Sequence, residues 1–249
     1  MKKQSLFLIT ISITSLQLGA CQRTPVPSVE FDDESIKENI IVSFDDSSNF
    51  DIRHGYTNGN MFLSYWDRSN VTLNEGVAGL SLYDTNDKNY GSEVKTYQGY
   101  LYGYFSTRMK TFKKEGTVQS FFTYNGGWNR WDEIDIEFLG KDTTKAQFNY
   151  YENGVGGHEY LYDLGFDSSL DFHEYGFKWE EDKITWFVDN KPVHAMSAHL
   201  IQWGNIYANV WAGNNVDGWL GKYTKDNEKR TAYYEYFSYV PLEENVSDK

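Results

Sequence analysis

From about residue 41 onward the chain consists of short runs in which apolar and polar residues alternate, separated by Gly, Asn and Asp. That two-residue period restricts the fold more than any other feature. It sends successive side chains to opposite faces of an extended strand, so one face can be buried while the other stays polar. Residues 79–83, 102–110, 119–124, 133–138, 146–151, 175–180, 184–189, 207–211 and 232–240 are predicted strands. Asp189-Asn190-Lys191-Pro192 and Tyr124-Asn125-Gly126-Gly127 are turn signals. No helical periodicity is evident beyond the first twenty residues, and many strands at short spacing predict an all-β sandwich. The absence of an internal repeat argues against a propeller or solenoid.

Composition narrows the functional classes. With 16 Phe, 20 Tyr and 8 Trp in 249 residues, most of the chain has the apolar surface to fold, and the length suits one large β-domain. A formal charge of −13 argues against nucleic acid, whose phosphates are met by Lys and Arg. The single Cys, Cys21, excludes an intrachain disulfide.

Residues 1–20 read as an export signal: Lys2 and Lys3 form the basic start, and an apolar stretch runs from Leu6 to Leu18. Leu18-Gly19-Ala20-Cys21 resembles a bacterial lipobox, which makes Cys21 the expected lipidation site and first mature residue. Residues 21–40, with Pro25, Pro27 and the acidic run Glu30-Phe31-Asp32-Asp33-Glu34, read as a flexible tether. The expected folded unit is 41–242, followed by a polar tail, 243–249. This organisation implies an exported lipoprotein on the outer membrane or cell surface, touching the membrane only through its lipid anchor. Nothing indicates oligomerisation, so a monomer is expected.

Several motif searches are empty. There is no G-x-S-x-G elbow, Walker loop or dinucleotide fingerprint, and the five His show no zinc spacing. Asp84-Thr85-Asn86-Asp87-Lys88-Asn89 is a poor calcium loop, because Lys88 stands where an oxygen ligand is needed; an Asx-rich turn is the better reading.

The informative segment is Trp131-Asp132-Glu133-Ile134-Asp135-Ile136-Glu137-Phe138. On a strand Glu133, Asp135 and Glu137 share one face, and Ile134, Ile136 and Phe138 the other. An ordinary solvated acidic face would give the same pattern, although three neighbouring carboxylates repel one another. Glu133 and Glu137 lie roughly 13 Å apart along a regular strand. Side chains leaning together on a twisted sheet can bring their carboxyls toward the ~5 Å of a retaining glycosidase pair. Asp135 between them can hydrogen-bond one Glu and separate the two pKa values. Sugar rings, with apolar faces and polar edges, suit aromatic platforms beside amides. Phe122, Tyr124, Trp128 and Trp131 precede the acidic strand, Asn149, Tyr150 and Tyr151 follow it, and Trp203, Trp211 and Trp219 come later. Alternation puts Phe122 with Tyr124 and Asn149 with Tyr151, while Tyr150 points the other way.

With these residues, the chain resembles glycoside hydrolase family 16, in its bacterial lichenase branch, from about residue 44 to 239. The resemblance is densest in Gly55-Tyr56-Thr57-Asn58-Gly59-Asn60-Met61-Phe62, in Ser120-Phe121-Phe122-Thr123-Tyr124, in residues 131–151 and in Val216-Asp217-Gly218-Trp219-Leu220-Gly221. It implies a β-jelly roll of two curved antiparallel sheets, concanavalin-like, with a polysaccharide lying in a concave cleft. It further implies Glu133 as nucleophile, Glu137 as general acid/base and Asp135 as assisting carboxylate. Asn58, Phe122, Tyr124, Asn149, Tyr151, Glu159, Asn209 and Trp211 match positions lining the family's cleft. The regular E-x-D-x-E spacing resembles enzymes of mixed-linkage β-1,3-1,4-glucan. An endo-β-1,3-glucanase, a xyloglucan-active enzyme and a non-catalytic glycan-binding lectin are the alternatives.

Three departures stand out. Lys95 occupies a position where lichenases usually have Arg, replacing a bidentate clamp by a point charge. The connection from Tyr124 to Trp131 is short, and the usual lichenase disulfide is absent. No cofactor is required; Glu235, where the family often has a calcium-binding Asp, leaves a structural calcium open.

Overall fold

The alternating runs become strands of two stacked sheets in a computed structural model that describes residues 39–126 and 130–242. One sheet, the groove sheet, has the order β2 (Phe50–Ile52), β6 (Asn89–Tyr100), β15 (Gly204–Ala212), β8 (Thr117–Tyr124), β9 (Glu133–Leu139), β10 (Lys145–Tyr151) and β11 (Tyr160–Asp163). Every pairing in it is antiparallel. The backing sheet has the order β4 (Val71–Asn74), β5 (Val77–Asp84), β16 (Arg230–Tyr234), β7 (Gly103–Lys110), β12 (His173–Glu180), β13 (Lys183–Val188) and β14 (Lys191–Ser197). Two further strands, β17 (Phe237–Pro241) and β1 (Ile40–Val42), extend it beside β7, while β3 (Ser64–Trp66) runs parallel to β6. Among the described residues, the α-helix is a single turn, α1 (Asp217–Leu220).

The apolar half of each alternation meets between the sheets. Ile134, Ile136 and Phe138 of β9 are completely buried and join Tyr175, Phe177, Trp179, Ile184 and Trp186 of β12 and β13 in one core. Phe148 of β10 stacks on Trp186 at 5.7 Å, and Phe138 meets Tyr175 edge-on at 4.7 Å. Each such side chain contributes about 1.5–3 kcal/mol by leaving water. Trp186 also donates from Nε1 to the carbonyl of Asp135 at 3.1 Å, tying the acidic strand to the sheet behind it.

The strand boundaries differ from expectation in instructive places. The run 232–240 is two strands, broken where the Glu235 amide bonds to the Arg108 carbonyl. The first strand begins at Ile40, just inside the expected tether. Strand β6 escapes sequence reading because Ser92, Glu93 and Thr96 are buried beside Val94, which erases the alternation. Between Asp84 and Asn89 lies a tight turn closed by the Thr85 amide and hydroxyl on the Lys88 carbonyl. The expected signal peptide, Cys21, most of the tether, the polar tail and Trp128 lie outside the described residues.

Candidate active site

Antiparallel register places partners on both sides of the acidic strand. Glu133 is opposite Tyr124 of β8 and Tyr151 of β10, Asp135 opposite Phe122 and Asn149, and Glu137 opposite Ser120 and Gln147. Because paired residues share a face, all of these side chains enter one groove of about 1040 Å³. That volume tops the ~300–1,000 Å³ range of small-ligand pockets and suits an oligomer. The strand's entry is pinned by Asp132, whose buried carboxylate accepts from Arg130 Nε and from the amides of Asn153, Ile201 and Gln202. Three loops are thereby fastened one residue before Glu133.

Each carboxylate has a distinct environment. Glu133 accepts from Trp131 Nε1 at 2.5 Å and is hydrogen-bonded to Asp135. Burial pushes its pKa up to about 7 against those two bonds. Asp135 is held well above the carboxylate range, first by burial and then by the charges of Glu133 and Glu137. Its hydrogen bond to Glu133 requires a proton between the two carboxyls, and a proton held on Asp135 favours the ionised form of that neighbour. Burial, reinforced by the Glu133 charge, pushes Glu137 up to about 8 although Gln147 Nε2 donates to its Oε2 at 2.8 Å. One strand thus presents an ionisable carboxylate and a protonated one, four residues apart.

The other expected residues converge on the same groove. Asn58, Lys95, Phe122, Tyr124, Trp131, Asn149, Tyr151, Glu159, Asn209 and Trp211 all line it. Trp131 and Tyr151 stack at 4.6 Å and 10°. Gly156 lets the following loop close over that pair, since a Cβ there would lie 2.4 Å from the Tyr151 ring. Tyr150, on the opposite face, is buried in the core. Trp211 is more floor than wall: only 3% of it is exposed, beneath Phe62 and Trp219. Trp203 stays outside, 56% exposed and packed over Gly99 at the strand end.

Sequence reading missed a fifth acid, Glu93, together with Arg53, Ser120, Gln147 and Tyr207. Glu93 is buried, which pushes its pKa up to about 7, and accepts at 3.1 Å from both Asn58 and Asn209. Asn58 and Asn209 thus hold this carboxylate as well as lining the groove. Tyr207 stacks on Phe122 at 5.0 Å and lies under Lys95 Nζ, 5.9 Å away. Positions two residues from those already identified carried the signal: 93 beside 95, 120 beside 122, 147 beside 149 and 207 beside 209.

Comparison with known proteins gives the same family as the motifs. The profile of glycosyl hydrolases family 16 matches residues 58–230. The chain belongs to glycosyl hydrolase family 16. It is 42% identical to a β-glucanase of Brevibacillus brevis over 96% of this chain and 97% of that one. A lichenase (β-1,3-1,4-glucanase) from a mouse hindgut metagenome superposes with a TM-score of 0.77 at 43% identity, covering 80% of this chain and 97% of that one. The Bacillus licheniformis β-glucanase superposes with a TM-score of 0.77 at 42% identity, covering 80% and 96%. The two stacked sheets are therefore the family 16 jelly roll. Within this family frame the calcium option fits poorly. The Glu235 carboxylate is engaged by Arg108. Among the described residues, no group of three or more His, Cys, Asp or Glu is placed to hold a metal ion. A guanidinium beside the one candidate ligand opposes a second cation.

Proposed function

We propose that the protein is a retaining endo-glucanase acting on mixed-linkage β-1,3-1,4-glucan, with Glu133 as nucleophile, Glu137 as general acid/base and Asp135 as assisting carboxylate. The reading is carried by one observation: three carboxylates on alternate positions of β9, in a groove walled by stacked aromatics, with Glu133 and Glu137 held by separate donors, Trp131 and Gln147. The lichenase and β-glucanase relatives set the substrate class.

Glu133, whose ionised form the Trp131 and Asp135 hydrogen bonds favour against burial, attacks the anomeric carbon while Glu137 gives its proton to the departing oxygen. The glycosyl-enzyme is then opened by water, whose proton returns to Glu137. Aromatic faces such as the Trp131–Tyr151 pair offer platforms for sugar rings, and Lys95 and Asn149 offer donors to hydroxyls. Side-by-side assays on lichenan, laminarin and xyloglucan, with linkage analysis of the products, test the specificity. Lichenan is expected to be cleaved fastest; preferential cleavage of laminarin or xyloglucan would replace this assignment, and no reducing-sugar release from any would leave a glycan-binding protein.

The expected lipid anchor at Cys21 has a test of its own. Cys21→Ser is expected to move the protein from the membrane fraction to the soluble fraction without changing kcat, and an unchanged distribution would remove the lipid anchor.

A further inference from the structure

Outside the carboxylates, one hydrogen-bonded chain leads directly to Glu137. Trp219, on α1, donates from Nε1 to Gln147 Oε1 at 3.0 Å, and Gln147 donates from Nε2 to Glu137 Oε2 at 2.8 Å. An indole N–H can only donate, so the group facing it must be the carbonyl of the Gln147 amide. The NH2 is therefore turned toward Glu137, and the amide orientation is fixed by chemistry. A donor facing Oε2 cannot also accept a proton from it. Oε2 stays unprotonated, and the acidic proton of Glu137 resides on Oε1. Among the described residues, Oε1 accepts no hydrogen bond.

We propose that Trp219 and Gln147 are positioning residues that select the oxygen of Glu137 from which the acidic proton is delivered. The inference rests on Glu137 being the general acid. When the glycosidic C–O bond breaks, its electron pair passes to the departing oxygen, which takes the proton from Oε1. A Glu133 oxygen meanwhile bonds to the anomeric carbon. Glu137 is left as a carboxylate whose Oε2 still receives the Gln147 N–H, now as a stronger, charge-assisted bond. The pair thus strengthens as the proton leaves, which lowers the barrier rather than merely holding the ground state. In the second half-reaction Oε1 recovers a proton from water.

The chain is rigidly mounted. Gln147 is buried on β10, and Trp219 packs against Trp211 while its carbonyl accepts from Lys141 Nζ. Trp219 comes from between β15 and β16, 72 residues beyond Gln147, so α1 closes over the acid from a different part of the fold.

Gln147→Leu removes the donor, and Trp219→Phe keeps a ring but frees the amide to turn over. Glucan oligosaccharides carrying either an alkyl or a dinitrophenyl leaving group provide the readout, because the dinitrophenolate departs without protonation. In Gln147→Leu, kcat/KM on the alkyl substrate is expected to fall at least about tenfold, and on the dinitrophenyl substrate less than about threefold. The alkaline limb of its pH profile should move upward, since the lost donor favoured the ionised carboxylate. Trp219→Phe should show the same selectivity and direction in smaller measure. Both readouts are ratios or midpoints, so they do not depend on the fraction of protein correctly folded. Equal losses on the two substrates with an unmoved alkaline limb would overturn the proposal. Glu137→Ala separates the two levels of argument. If that variant shows no leaving-group selectivity, the acid assignment itself fails; if it does and neither Gln147→Leu nor Trp219→Phe does, only the positioning role fails.

Discussion

Glu133→Ala is expected to abolish lichenan hydrolysis, lowering kcat by on the order of 10⁵-fold or more, while leaving the fold intact. The side chain faces the groove and is only partly buried, and Ile134 and Ile136 beside it still carry the core contacts of β9. Removing its charge also takes away a cause that, after burial, holds Asp135 and Glu137 above the carboxylate range, so both should titrate lower in the variant. The loss is chemical rather than structural: with no carboxylate at 133 there is no nucleophile to form the covalent intermediate. A small anion such as azide, admitted into the vacated space, is expected to restore part of the turnover with inversion at the anomeric carbon. Reducing-sugar release, far-UV circular dichroism and product configuration check the three parts. Parental hydrolysis of lichenan by the folded variant would remove Glu133 from the mechanism.

What could be read in advance was whatever one strand decides alone. Glu133, Asp135 and Glu137 needed only the two-residue period, and the same rule separated Tyr150, in the core, from Tyr151, in the groove. What required neighbours was opaque. Glu93 lies on β6, and only the pairing of β15 with β6 brings it opposite Asn209, 116 residues away. Its strand was hidden because buried Ser92 and Thr96 read as polar, although they are enclosed by hydrogen bonds to the Ser81 and Gln98 carbonyls. Trp219 is the same lesson in a helix. A four-residue turn has no period, yet its indole closes the chain to Glu137. Trp203 and Trp211 mark the limit of reading rings alone: Trp211 lines the groove as expected, but only packing tells its covered floor from the exposed strand end where Trp203 sits.

Glu137→Gln is expected to be nearly inactive on lichenan and, at alkaline pH, more stable than the parent. A carboxyl whose pKa is raised on folding binds more protons in the folded than in the unfolded state at intermediate pH. Its stabilising contribution is complete below the unfolded value and is lost as pH rises through the folded one. For Glu137 that window runs from about 4.5 to about 8, and Glu93 and Glu133, pushed up to about 7, act in the same direction. Asp142, held down to about 2 chiefly by Lys145, and Asp226, held low chiefly by Arg230, act with the opposite sign and only at acid pH. His194, whose burial lowers its pKa, is present in both proteins and cancels in their difference. The stability advantage of Glu137→Gln should therefore grow from pH 5 to pH 9 by a few kcal/mol, the scale of a shift of this size in a partly buried group. The glutamine also relieves the charge that Glu137 imposes on Asp135, so the parent's alkaline loss should be blunted at two positions. Urea unfolding at both pH values measures the effect. A difference that stays constant with pH would mean that Glu137 titrates as it does in the unfolded chain, which would remove the basis for its carrying a proton at neutral pH.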